Sequence, residues 1–148
     1  MTNQEIVLSA MKNLGYNDAL NLRSRSSKMD GTHIIREEEK IPDFDPTKDY
    51  TNWPVGSPVT DEDQIWTLLQ PHNASYYEGR PSTLRALWGL CHTKDPDKAK
   101  PFVTPLGTSG MYMKGECILE DGVIYKCLQD NVVWPPSELQ SAWAIVTL

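Results

Sequence analysis

Asp121-Gly122 is the feature that most limits what this chain can become. Aspartate followed by glycine supplies the two positive-φ positions of a type I′ turn, the tightest reversal between two strands. Apolar runs flank it, GECILE before and VIYKC after. Counting outward pairs Glu120 with Val123, Leu119 with Ile124, Ile118 with Tyr125, and Cys117 with Lys126. Ile118 opposite Tyr125 is an aliphatic–aromatic pair of the kind that stabilises a small sheet. A Pro135-Pro136 bend and a closing Trp143 complete the stretch from Ser109 to Val146.

The chain carries this pattern twice. A shift of 59 residues places Trp53 on Tyr112, Gly56 on Gly115, Val59 on Ile118, Trp66 on Tyr125, Leu69 on Leu128 and Gln70 on Gln129. Beyond that the offset falls to 55, and Pro81-Ser82 meets Pro136-Ser137, Leu84 meets Leu139, and Trp88 meets Trp143. Four extra residues in the first copy fall around Ser75–Gly79, a loop with two adjacent tyrosines. The pattern reads as a diverged tandem duplication. Copies of about 40 residues bury too little surface to stand alone. They are therefore expected to pack on each other, on the N-terminal part or on a partner.

In front of the first copy, Thr2-Asn3-Gln4-Glu5 forms a capping box, and Ile6, Ala10, Met11 and Leu14 follow at helical spacing. A second helical segment is expected from Asp18 to about Ser26, with Arg23, Arg25 and Lys28 as a solvated basic end. Met29-Asp30-Gly31 reads as a turn and Thr32–Arg36 as a short β-like run, followed by a solvated acidic run at Glu37–Glu39. Ile41 to Pro58 is rich in Pro, Asp and Thr and is expected to be extended. The expected fold is mainly β, α+β overall: a helix and extended arm over 1–48, a three-stranded β repeat over 49–92, a proline-rich linker over 93–108, and a second three-stranded repeat over 109–148.

Composition narrows the function. The 148 residues carry a net charge of −6 with both signs interspersed, which argues against nucleic acid or an anionic membrane as ligand. No stretch resembles a secretory signal peptide or is long enough to span a bilayer, so synthesis in the cytoplasm is expected. The three cysteines, Cys91, Cys117 and Cys127, lack metal-ligand spacing, and the hairpin register puts Cys117 and Cys127 on opposite faces. His33, His72 and His92 lie far apart, and no Gly-x-Ser-x-Gly, phosphate-cradling loop or Cys–His arrangement is present. No catalytic residue, metal or cofactor is implied.

The order Tyr112, Gly115, Ile118, Tyr125, Asn131, Trp134, Pro136, Trp143 resembles the small carbohydrate-binding modules of the chitin-binding type. Trp53, Gly56, Val59, Trp66, His72, Pro81 and Trp88 carry the same pattern less completely. Such modules are attached to chitinases and endoglucanases, and related repeats occur in tail proteins of bacteriophages and prophages. The wider order, a helical head, KIPDFDP, two repeats and an HTKDPDKAKP connector, resembles prophage tail proteins over nearly the whole chain.

The resemblance implies a virion tail fibre, tail tip or baseplate accessory. Its partners would be other tail proteins in an oligomeric particle, and cell-surface polysaccharide is the ligand such modules take. Flat rings bind sugar by stacking on the C–H face of a pyranose. Tyr112, Trp134, Trp53, Tyr76 and Tyr77 are the rings expected to be exposed for this, while Trp66, Tyr125, Trp88 and Trp143 are expected in cores. Two further readings stay open. One is an assembly part with no sugar binding, joined through Ile6, Met11 and Leu14; the other is a secreted chitin-binding accessory.

Overall fold

The second hairpin forms in the register counted from Asp121-Gly122. A computed structural model describes residues 20–26 and 29–147. In it Cys117 pairs with Lys126, Ile118 with Tyr125, Leu119 with Ile124 and Glu120 with Val123. The earlier hairpin pairs Val59 with Trp66 and turns at Glu62-Asp63. Both turn residues of each hairpin have positive φ: 52° and 60° at Glu62 and Asp63, 50° and 78° at Asp121 and Gly122.

The fold is mainly β, with two sheets and a few short helices. In the first sheet, β1 (Pro58–Asp61), β2 (Gln64–Leu68) and β3 (Trp88–Leu90) run antiparallel in that order. The second contains β4 (Lys100–Pro101), β5 (Cys117–Glu120), β6 (Val123–Cys127) and β7 (Trp143–Ile145). Here β4 lies parallel on β5 and the other pairs are antiparallel.

The two sheets share their detailed geometry. Gly56 and Gly115 enter them at φ 93° and 95°, each donating its N–H across the hairpin, to Leu68 and Cys127 at 2.7 and 2.8 Å. Leu69 and Leu128 donate to Leu87 and Ala142, both at 2.8 Å. Trp88 lies opposite Leu68, and Trp143 opposite Cys127.

One expected correspondence changes. The shift of 59 sets Trp53 on Tyr112, but Tyr50 occupies the place that Tyr112 holds. Tyr50 packs edge-on to Trp88 with centroids 5.2 Å apart, and Tyr112 on Trp143 at 5.6 Å. The Tyr50 hydroxyl accepts the Asp45 N–H, and the Tyr112 hydroxyl accepts the Val103 N–H, both at 3.0 Å. Phe44 and Phe102 stack on the two tyrosines. Tyr50 stands six residues before Gly56 and Tyr112 three before Gly115. A fixed offset counted from the turn cannot see that insertion.

Three other expectations are corrected. Thr32–Arg36 is no β-like run: Gly31–Arg36 is a helix, α1, capped by the Asp30 carboxylate, which accepts the His33 N–H at 2.9 Å. A capping bond outweighs the β preference of Thr32, Ile34 and Ile35 because it satisfies a donor that would otherwise lack a partner. Ile34 and Ile35 are then buried with Leu22, Ile41, Ile65 and Cys91. The acidic run is also less solvated than expected, since Glu38 takes Lys100 at 2.7 Å and Lys98 at 3.5 Å. Burial works against the ionised Glu38, yet the two lysines hold its pKa below the usual value.

Residues 93–108, expected as a linker, contain a 3-10 turn (Pro96–Lys98) and β4. Proline is tolerated in β4 because an edge strand leaves one side unpaired. Phe102 packs into the core of the second sheet while Val103 packs on that of the first. The extended stretch after Ile41 is likewise packed, with Phe44 donating to Thr60 at 2.8 Å and Thr60 to Pro42 at 2.9 Å.

α1 meets the segment joining the sheets at Gly31. A Cβ there would lie 2.2 Å from the His92 carbonyl oxygen. Gly31→Ala gains up to about 1 kcal/mol of helix propensity but forces backbone apart, an overpacking cost of about 1–3 kcal/mol. Urea denaturation should therefore find Gly31→Ala less stable than wild type. An equal or higher midpoint would refute this close approach.

Candidate functional site

In each sheet, the long connection between the two strands that follow the hairpin turn holds an aromatic ring out to solvent. The first connection, residues 69–87, turns at a 3-10 segment (Ala74–Tyr76) capped by Asn73. The Asn73 side-chain oxygen accepts from the Ser75 N–H at 3.0 Å and the Ser75 hydroxyl at 2.6 Å. Tyr76 is 82% exposed and Tyr77 46%. Tyr77 rests edge-on against the His72 ring at 5.4 Å, which fixes its direction.

The second connection, residues 128–142, carries Trp134, 55% exposed. Its carbonyl accepts the indole N–H of the buried Trp143 at 2.9 Å. The following turn is closed by Glu138 and Leu139, both donating to the Pro135 carbonyl at 2.9 Å. A core tryptophan thus anchors the backbone that presents the exposed one. In the first sheet the indole nitrogen of Trp88 is buried without a hydrogen-bond partner.

Of the expected ligand rings, one is buried and one is covered. Tyr112 is 2% exposed, stacked between His92 at 3.8 Å and Phe102 at 4.9 Å. Its backbone bridges Val132, which turns the ring inward onto Trp143. Burial pushes its phenol pKa up. Trp53 is half-buried, with the Arg23 guanidinium 3.4 Å from its ring centroid and Lys48 at 5.5 Å. Its edge-on contact with Tyr50 at 4.6 Å holds it in place. A cation over an indole face is worth about 0.5–1 kcal/mol where exposed, so a sugar would have to displace it. Ile6, Met11 and Leu14, the expected assembly residues, lie outside the described residues.

Tyr125, expected in the core, is half-buried instead. It lines a cleft of about 350 Å³ with Glu120, Asp121, Ser137, Gln140 and Ile145. The sequence signal for this opening is the exchange of Arg85 for Gln140 at matching positions after Leu84 and Leu139. The Arg85 guanidinium lies 5.0 Å from the Trp66 ring centroid.

Among the described residues, no three His, Cys, Asp or Glu side chains cluster as metal ligands, and no helix is long and apolar enough to cross a membrane. The buried His92 ring meets Glu116 at 3.1 Å, and that carboxylate also accepts the Met113 N–H at 2.6 Å. All three cysteines are free and buried. Burial pushes the Cys91 thiol up to about 12 and also raises Cys117 and Cys127, which suppresses the thiolates needed for nucleophilic chemistry.

No protein-family model matches the sequence, and no curated protein matches it.

The native thiols should resist iodoacetamide at pH 8 and react once urea unfolds the chain; rapid native labelling of Cys91 would contradict its burial. Folding raises the Cys91 pKa from its ordinary 9.0 to about 12. Its contribution to stability is therefore complete below pH 9 and lost as pH rises towards 12. Urea midpoints measured across that range should fall, and by less in Cys91→Ala.

Proposed function

We propose that this chain is a tail-associated structural protein of a bacteriophage or prophage, built from two carbohydrate-binding-module-like β repeats whose exposed rings contact saccharide on the host surface. One observation carries the saccharide reading: both units raise aromatic rings to solvent from the same connection while most of their other large rings are buried or covered. Aromatic side chains have few rotatable bonds and so lose little entropy when a pyranose stacks on them. Asp130 and Asn131 lie close in sequence to Trp134, and Glu78 follows Tyr77, supplying side chains suited to hydroxyl groups.

The repeat reading is supported by the shared turn conformation, the shared glycine φ and the matching Tyr–Trp–Phe clusters. The tail assignment rests on the resemblance in sequence order, and it makes the particle's symmetry the source of oligomeric state. A purely structural adaptor within the tail is the second reading. The open face beside Tyr125 favours it independently of any sugar.

Retention of the purified chain on host cell-wall glycan and on chitin separates the two. Wild type should be retained, and Trp134→Ala should lose tenfold or more in affinity, about 1.4 kcal/mol, with an unchanged thermal melt. Tyr76→Ala should cost less, because Tyr77 beside it still offers an exposed ring. No retention of wild type on any such glycan would sink the saccharide reading and leave the adaptor.

A further inference from the structure

We infer that the open face of the second sheet, centred on Tyr125 and Ile145, is a docking surface for an extended, apolar segment of a neighbouring protein chain carrying a lysine or arginine. This inference stands whether or not the exposed rings bind saccharide. It follows from comparing this face with its counterpart in the first sheet, where the chain itself supplies the cover.

In the first sheet Trp66 lies between Val59 and Leu90. Val103 packs on that core, and the Thr104 carbonyl accepts from Arg85 Nη2 at 3.3 Å. The covering stretch then passes so close that a Cβ on Gly110 would lie 3.3 Å from Arg85 Nη1 and 3.8 Å from Leu90. Trp66 is left 1% exposed.

In the second sheet Tyr125 lies between Ile118 and Ile145 in the same register. Gln140 replaces Arg85, and no described segment takes the place of residues 103–110. Ile145 is 66% exposed, beside the cleft of about 350 Å³. An amide at Gln140 can donate to a backbone carbonyl as Arg85 does to Thr104, which suits an extended chain rather than a helix.

Charge specifies the occupant further. In the first sheet the carboxylates at the hairpin end are neutralised internally: Arg80 donates to Asp61 at 2.9 and 2.6 Å and meets Glu62 at 3.3 Å. The Arg80 carbonyl accepts the Leu84 N–H, as the Pro135 carbonyl accepts the Leu139 N–H, so Pro135 stands in the arginine's place. Among the described residues no cation pairs with Glu120 or Asp121, and both line the cleft. The missing partner is therefore apolar where Val103 lies and basic near Asp121.

The test titrates the isotopically labelled full chain with a synthetic peptide of residues 100–109, KPFVTPLGTS, followed by amide chemical shifts. Saturable shifts should centre on Tyr125, Gln140 and Ile145. Ile145→Glu, at an exposed position, should weaken binding tenfold or more while the rest of the spectrum stays native. Asp121→Asn should weaken binding severalfold for this peptide but not for one with the lysine replaced by alanine. The proposal is overturned if millimolar peptide leaves this face unshifted, or if Ile145→Glu binds as well as wild type. It is equally overturned if chitooligosaccharide, or dilution of the chain alone, shifts these residues in place of the peptide, since the occupant would then be a sugar or a second copy.

Discussion

A tyrosine set at a steep angle on a tryptophan, its hydroxyl tied to a backbone amide, positions most of what surrounds it. Tyr50 does this on Trp88 and Tyr112 on Trp143. The ring buries area that a chain this small cannot find elsewhere, and replacing a buried tryptophan by alanine costs about 3–5 kcal/mol. The hydroxyl acts as well, because the Asp45 and Val103 amides it accepts belong to the segments leading into each sheet. Losing that bond would cost each leading segment about 0.5–1.5 kcal/mol, the net worth of one hydrogen bond. One side chain therefore fills the core and fixes the path of the chain entering it.

The same constraint joins the sheets. The segment that the Tyr112 hydroxyl holds gives Phe102 to the second core and Val103 to the first. The Gln64 side chain donates to the Pro101 carbonyl across the junction at 2.8 Å, and Lys100 meets Glu38 from the helical part. Small units that would be marginal alone thus borrow burial from one another. The consequence for function is an asymmetry: the face that the connection covers in the first sheet is left open in the second.

Local rules made part of this legible. Asp121-Gly122 dictates its turn because the φ requirement is local, and the pairing of four residues each way follows from it. The exposed Trp134, Tyr76 and Tyr77 could be anticipated from loops rich in proline and polar residues. Tyr50 was hidden by the three residues inserted before Gly56, and α1 by two adjacent isoleucines that mimic a strand, although Asp30 was its visible signal. A two-residue parallel strand such as β4 leaves no periodicity to read. The burial of Tyr112 and the opening beside Tyr125 depend on which segment passes over each ring, and that is settled by tertiary packing.

Native-state hydrogen exchange at low urea tests most directly whether the two sheets form one cooperative core. The amides of Tyr50 and Gly56 report on the first sheet and those of Tyr112 and Gly115 on the second, each donating to a backbone carbonyl at 2.7–2.9 Å. All four should exchange through a single opening whose free energy equals that of global unfolding. If the pair in one sheet exchanged through a separate opening of clearly lower energy, the sheets would be independent modules on a string, and the shared core described above would be wrong.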